Sequence, residues 1–191
     1  MKFVIVDFKN DITKYASNAL IDFSRDLKGN QDLIEKTYST LVLVCRENFD
    51  SLREEENFME NFLIDLHSID PCDWPKGKTN NCNYQDFEFY WAGLPWFPII
   101  MHEKHREKIR KSKFLMIGFQ PGNVFDFNKN SRTDFYERMR TAIHARLNTI
   151  YPASLPFYLS KESSGKNICQ YSGFDKKEFF NEYKYPILIK K

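Results

Sequence analysis

The sequence predicts an α+β fold of mixed α/β character: one domain with a largely antiparallel sheet packed against three long helices. Three observations predict it. Apolar residues recur at spacings of three and four over 11–27, 51–67 and 133–150, the signature of amphipathic helices. Short, continuous apolar runs lie at 38–45 and 114–119, as in strands buried on both faces. Between them, residues 86–101 alternate in part and turn back on themselves, so two neighbouring strands run antiparallel.

The first helix covers about Asp11 to Leu27, with Ile12, Tyr15, Ala16, Ala19, Leu20, Phe23 and Leu27 on one face and Gly29-Asn30 as its stop. A strand follows at Tyr38 to Cys45. The second helix, Ser51 to His67, buries Met59, Phe62, Leu63 and Leu66, while Glu54, Glu55 and Glu56 sit where the helix dipole favours negative charge. Pro71, Pro75 and Gly77 make Asp70 to Asn83 a loop. The hairpin comes next: Asp86 to Trp91, a turn at Gly93-Leu94-Pro95, and a return from Trp96 to Met101. Glu103 to Lys113 is basic and reads as helical. Phe114 to Phe119 is a strand ended by Gln120-Pro121-Gly122-Asn123. The third long helix, Thr133 to Ile150, turns Tyr136, Met139, Ile143, Leu147 and Ile150 inward. Residues 151–191 form an irregular tail, and 1–191 is taken as one domain.

Composition narrows the function classes. Of 191 residues, 42% are hydrophobic and 16% aromatic, enough to bury a core without disulfides. With 28 basic against 26 acidic residues, the net charge of +2 supplies no general drive toward nucleic acid or membranes. No apolar run nears the roughly 20 residues that span a bilayer. The N-terminal Met1 to Asp7 has too short an apolar core for a secretory signal, and Cys45, Cys72, Cys82 and Cys169 form no CxxC pair. A cytoplasmic protein with reduced thiols is the expectation.

Chemistry could sit in three places. His102 and His105 are three apart, so on a helix they share a face and could ligate a metal, a haem iron included, or simply be solvated. No HExxH or cysteine pattern completes a hydrolytic zinc site. His67 reads as a core or capping residue and His144 as a surface one. Second, Lys104, Arg106, Lys108, Arg110, Lys111 and Lys113 form a basic run without aromatics, a solvated face or a carboxylate-pairing surface rather than a nucleic-acid platform. Third, Tyr90-Trp91 to Trp96-Phe97 could line a flat apolar pocket or belong to the core. Walker, GxGxxG and GxSxG patterns are absent from the sequence.

The order of short motifs goes further. Leu66-His67-Ser68-Ile69-Asp70 with Trp74-Pro75 is followed by Phe87-Glu88-Phe89 and by Gly93-Leu94-Pro95-Trp96-Phe97. Next come His102 with Arg110-Lys111-Ser112, then Phe119-Gln120-Pro121-Gly122-Asn123-Val124-Phe125, and last Gln170-Tyr171-Ser172-Gly173. This series resembles the YqcI/YcgG family, and within it the haem-dependent N-hydroxylases of guanidine groups (the GntA-like enzymes of guanitoxin biosynthesis). The recognisable core spans about 38–173. Where the family has a basic residue after Gln-Pro, this chain has Gly122, and the family's aromatic-Cys-Pro is here Lys184-Tyr185-Pro186. Relatives carry a longer segment before the first helix, where this chain has Met1 to Asn10 and no His precedes His67.

The resemblance implies haem b held by a histidine, and oxidation of a nitrogen on a small guanidine or amine substrate resembling an amino acid. His102 is the best match to the iron ligand and His105 the alternative. Arg106 or Arg110 would meet the propionates, and Trp91, Phe97 and Phe119 would cover the macrocycle. Asp70, Asp73 or Glu88 would face the cationic substrate; their other readings are loop caps for the two aspartates and a strand-edge charge for Glu88. Gln170 and Tyr171 would close the pocket or pin the tail. A non-catalytic member that binds haem or another small ligand is the alternative function. The other expectations are no membrane partner, no nucleic acid and, as an open possibility, a homodimer.

Overall fold

The computed structural model describes residues 2–6, 11–30, 39–46, 49–82, 84, 87–105 and 109–153. Arg106, Gln170 and Tyr171, and nearly all of the expected tail, lie outside these described residues. Five strands form one sheet in the order β1-β2-β5-β4-β3: β1 Lys2–Val6, β2 Leu41–Cys45, β3 Phe89–Trp91, β4 Leu94–Met101 and β5 Leu115–Pro121. Four helices accompany it among the described residues: α1 Ile12–Lys28, α2 Leu52–Ser68, α3 Asn123–Ser131 and α4 Thr133–Ile150. The α+β class and the mainly antiparallel sheet hold. Only β1 runs parallel to its neighbour, β2, with α1 as the crossover between them.

The two long N-terminal helices form for the reasons legible in the sequence. Asp11 caps α1 by accepting from the Lys14 N–H at 3.2 Å, and Gly29 closes it. Ser51 caps α2 by accepting from the Glu54 N–H, while the Glu54 carboxylate accepts from the Asp50 N–H at 2.9 Å. Both helices turn their apolar stripes to one face of the sheet. Phe23 of α1 lies against Trp96 with ring centroids 6.0 Å apart, and Phe62 of α2 meets Phe119 edge-on. Burial alternates residue by residue along β4, so Leu94, Trp96, Pro98 and Ile100 face the helices and Pro95, Phe97, Ile99 and Met101 face away. Leu41, Leu43, Ile117 and Phe119 complete the inner face. Burying each such side chain contributes about 1.5–3 kcal/mol, so the large Trp91, Trp96 and Phe119 carry much of the core.

Four features depart from the sequence expectation. The N-terminal residues 2–6 are a strand, although as an isolated five-residue segment they gave no period to read. The described part of 103–113 is not helical: turns at 103–104 and 109–110 make it a loop. A further helix, α3, begins immediately after β5. Helix α4 forms as expected but buries none of its residues; Ile143 is half exposed, so the stripe of α4 does not face the sheet. Its periodicity foretold the helix but could not say what, if anything, the stripe would meet.

The hairpin turn falls at Ala92-Gly93, one residue earlier than expected, with positive φ of 51° and 72° at the two central residues. That is the two-residue geometry that matches the twist of the flanking strands. Glycine suits it; alanine does not. Two distant side chains hold the strained residue. Asp70, just past α2, accepts from the Ala92 N–H, and Lys28, the last residue of α1, donates to the Ala92 carbonyl, both at 2.9 Å. The ends of both inner helices are thereby tied to one turn. Replacing Ala92→Gly is expected to raise stability by about 1 kcal/mol, because a non-glycine residue in this region costs about 1–2 kcal/mol, partly offset by glycine's greater chain entropy. Asp70→Ala should lower it by about 1–3 kcal/mol by stranding a buried N–H. Urea denaturation of the two variants against the wild type measures both.

Candidate functional site

The stripe of α2 does not stop at its apolar residues. Counting back from Leu66 through Phe62 and Met59 reaches Glu55, and all four are buried. A carboxylate at a core position of an amphipathic helix needs a partner of its own. The partner comes from the far end of β4. His102 follows Met101 on the helix-covered side, and the chain beyond it loops out and returns. The loop is closed at its base by backbone bonds, His102 N–H to the Arg110 carbonyl at 3.0 Å and Ser112 N–H to the His102 carbonyl at 3.3 Å. The Arg110 guanidinium folds under it and donates to the Ile100 carbonyl at 3.0 Å. Within the loop His105 turns back toward the core.

The result is a buried cluster of one carboxylate and two imidazoles. Nδ1 of His102 lies 3.3 Å from Oε2 of Glu55, and Nε2 of His105 lies 2.6 Å from Oε1, with all three side chains fully excluded from solvent. Neither ring N–H is aligned on the carboxylate as a conventional hydrogen bond. Among the described residues neither carboxylate oxygen nor the outer ring nitrogens, His102 Nε2 and His105 Nδ1, have a hydrogen-bond partner. The two rings are therefore the groups positioned to meet the buried carboxylate's charge. An apolar wall stands beside them: Phe49 meets the His102 ring edge-on at 5.1 Å, Phe58 lies 5.3 Å from Phe49, and Phe62 stacks on Phe58. Among the described residues no three His, Cys, Asp or Glu side chains are set to hold a metal ion in common. The cluster can present an imidazole, but it is not a protein-only metal cage.

The other residues singled out from sequence are dispersed. Of the solvated-face reading for the basic segment, His102, His105 and Arg110 are exceptions, since all three are buried. Trp91 is a core residue whose Nε1 donates to the Leu66 carbonyl at 3.0 Å. It pairs with Leu94 at the opposite end of β4 from His102, about 25 Å away at roughly 3.3 Å per strand residue. Phe119 lies opposite Pro98 on the inner face, and Phe97 is on the outer face, so the structure does not bring the three rings together around His102. Asp70 accepts from the Cys72 and Ala92 N–H groups, the loop-cap role. Asp73 is exposed in the following loop. Glu88 pairs with Lys78 at 3.2 Å and accepts from the Tyr90 hydroxyl at 2.8 Å; this contact with Glu88 raises the Lys78 pKa, while burial and the same carboxylate raise that of Tyr90. His67 is buried against Trp74, and His144 is exposed on α4. Two surface grooves, one lined by Asp11, Lys14 and Asp65 and the other by Glu137, Arg140 and His144, involve none of the cluster.

Sequence reasoning missed Glu55, Phe49 and Phe58. For Glu55 the signal was present: the four-residue step back from Met59 lands on it. Its place in the first turns of a helix offered a competing explanation, the macrodipole, which suits the exposed Glu54.

Compared with known proteins, residues 2–184 match the YqcI/YcgG family. The chain is 30% identical over 97 residues to the uncharacterized protein YqcI of Bacillus subtilis (strain 168), a match covering 50% of this chain and 38% of that protein. It is 31% identical over 98 residues to the uncharacterized protein YcgG of the same organism, covering 51% and 38%. The match thus spans 38% of the length of each curated relative. No solved structure matches.

The thiols supply a check on this burial pattern. Cys82 is nearly enclosed; burial first, and the charge of Glu60 second, push its thiol up to about 12. At pH 8 it stays protonated and is expected to resist alkylation in the native state, whereas the half-buried Cys72 should label before it. Peptide mapping after timed iodoacetamide treatment reads the order. Early labelling of Cys82 would contradict the packing of this loop against α2.

Proposed function

The chain belongs to the YqcI/YcgG family, and from that premise we propose that it is a haem-dependent oxygenase with His102 as the iron ligand, N-hydroxylating a guanidine or amine nitrogen of a small substrate resembling an amino acid. One observation carries the reading. The Nε2 atom of His102 is buried and has no hydrogen-bond partner among the described residues. A buried imidazole nitrogen with nothing to bind is costly unless a ligand completes it. The donor fits haem, whose iron would be held by the His102 imidazole. It fits a multi-ligand metal site less well, since among the described residues no three His, Cys, Asp or Glu side chains are set to hold a metal ion in common.

When bound, haem supplies an iron that activates dioxygen or peroxide. The overall change inserts one oxygen atom into an N–H bond of the substrate, giving N–OH. With dioxygen the second oxygen leaves as water, and an external reductant provides two electrons and two protons; with peroxide no reductant is needed. The chain's own groups would hold and enclose the cofactor. His102 would provide the ligand, and Phe49 and Phe58 an apolar flank that limits water beside it. Arg110 fixes the base of the loop through the Ile100 carbonyl and would bring a cation near the cofactor's carboxylates.

A second reading draws on a specific observation. Asp70 and Glu88, two of the carboxylates expected to face a cationic substrate, are engaged with other groups. That favours binding of haem or another small ligand without turnover of a guanidine.

Both readings are tested with protein produced under ample iron and haem precursor. The expected result is an intense Soret band, lost or strongly shifted in His102→Ala. Incubation with guanidines and amines, reductant and oxygen or peroxide should then yield a product heavier by one oxygen atom. A Soret band without product selects the binding role. A wild type that takes up no haem, even with added haemin, overturns the proposal.

A further inference from the structure

The two imidazoles of the cluster are not equivalent. They face the same carboxylate through different nitrogens. His105 offers Nε2 to Oε1 at 2.6 Å and keeps Nδ1 on its far side. His102 offers Nδ1 to Oε2 at 3.3 Å and keeps Nε2 on its far side. Neither ring nitrogen meets the carboxylate in hydrogen-bond geometry, but a carboxylate cut off from water still favours the tautomer whose N–H dipole lies on its side of the ring. In His102 this places the proton on Nδ1 and leaves the lone pair on Nε2. In His105 it places the proton on Nε2, so the nitrogen farther from the backbone is spent on the carboxylate.

We infer that Glu55 is a positioning residue: it sets the tautomer of His102 so that Nε2 is the ligating atom, and His105 braces the same carboxylate from the other side. The inference rests on the proposed role of His102 and assigns the bracing role to His105. Carboxylates that orient a ligating histidine in this way fix the ring and raise its basicity. The arrangement also accounts for placing a glutamate on the buried face of the helix in line with Met59, Phe62 and Leu66, where an apolar residue would pack without needing partners. Secondary structure supports the geometry from two sides. Glu55 is fixed near the start of a capped seventeen-residue helix, and His102 is fixed by the backbone bonds that close its loop.

The test needs no cofactor at first. Ring nitrogens of His102 are assigned by 15N NMR in the cofactor-free full chain at neutral pH, with His102→Gln as the assignment control. The expected wild-type result is a proton on Nδ1 and a bare Nε2. In Glu55→Gln that preference should give way to a mixture, with the far-ultraviolet circular dichroism unchanged. Haemin titration of the same two proteins should then show affinity falling 10- to 100-fold in Glu55→Gln, the range for loss of such an orienting group. A wild-type His102 protonated on Nε2 overturns the inference, and needs no variant to do so. A tautomer untouched by Glu55→Gln overturns it as well. If the wild type shows the expected tautomer, dependent on Glu55, yet binds no haemin, the positioning role stands and the haem reading falls.

Discussion

The structure turns on a carboxylate placed where water cannot reach it. Glu55 occupies a core position of α2, and desolvating an ionised carboxylate costs several kcal/mol unless polar groups replace the lost water. Two imidazoles lie within ion-pair distance of it, and both come from the single loop that follows β4. This one constraint links a helix to a sheet edge far away in sequence. It also explains why a loop rich in lysine and arginine has its two histidines and Arg110 buried while Glu103 and Lys104 stay exposed. The described part of the loop does not fold as a helix because its histidines are committed to Glu55 and its ends to each other.

The sheet supplies the frame for that contact. β5 runs between β2 and β4, and its pairing with β4 extends from Trp96↔Pro121 to Met101↔Met116. His102 emerges just beyond the last pair, next to the start of β5. Gly122, at the other end of β5, donates to the Pro95 carbonyl at 2.8 Å, and a Cβ there would come within 3.1 Å of the Pro95 side chain. A side chain there would have to push the Pro95 ring back slightly, so glycine eases the approach. The Gln-Pro-Gly stretch thus works as packing between β4 and β5 and lies at the opposite end of the strand pair from the histidines.

Much of the fold was legible because its elements obey simple periods. The stripes of α1 and α2, the continuous run of β2 and the alternation of β4 each point to one structure, and each forms. The errors have a common physical origin. Residues 2–6 and the stripe of α4 are decided by what they meet in space, which spacing within a segment does not report. In the described part of Glu103 to Lys113, helix propensity was overridden by tertiary contacts of His102 and His105. For the site, the histidines could be named from sequence but their partner could not be chosen. Glu54, Glu55 and Glu56 look alike in a string; only the stripe phase separates Glu54, which caps, from Glu55 and Glu56, which are buried. Trp91, Phe97 and Phe119 seemed to form one aromatic set because they are close in motif order. In the sheet, Phe97 falls on the opposite face from Phe119, and Trp91 lies a full strand length from His102.

The account reduces to an iron–imidazole bond at one side chain. Resonance Raman spectroscopy of the reduced, haem-loaded protein tests it most directly, with histidine labelled uniformly with 15N. The account predicts a low-frequency iron–histidine band that shifts on labelling and is absent from a His102→Gly protein. A band that persists in that variant, or a spectrum with no band sensitive to the label, would contradict it.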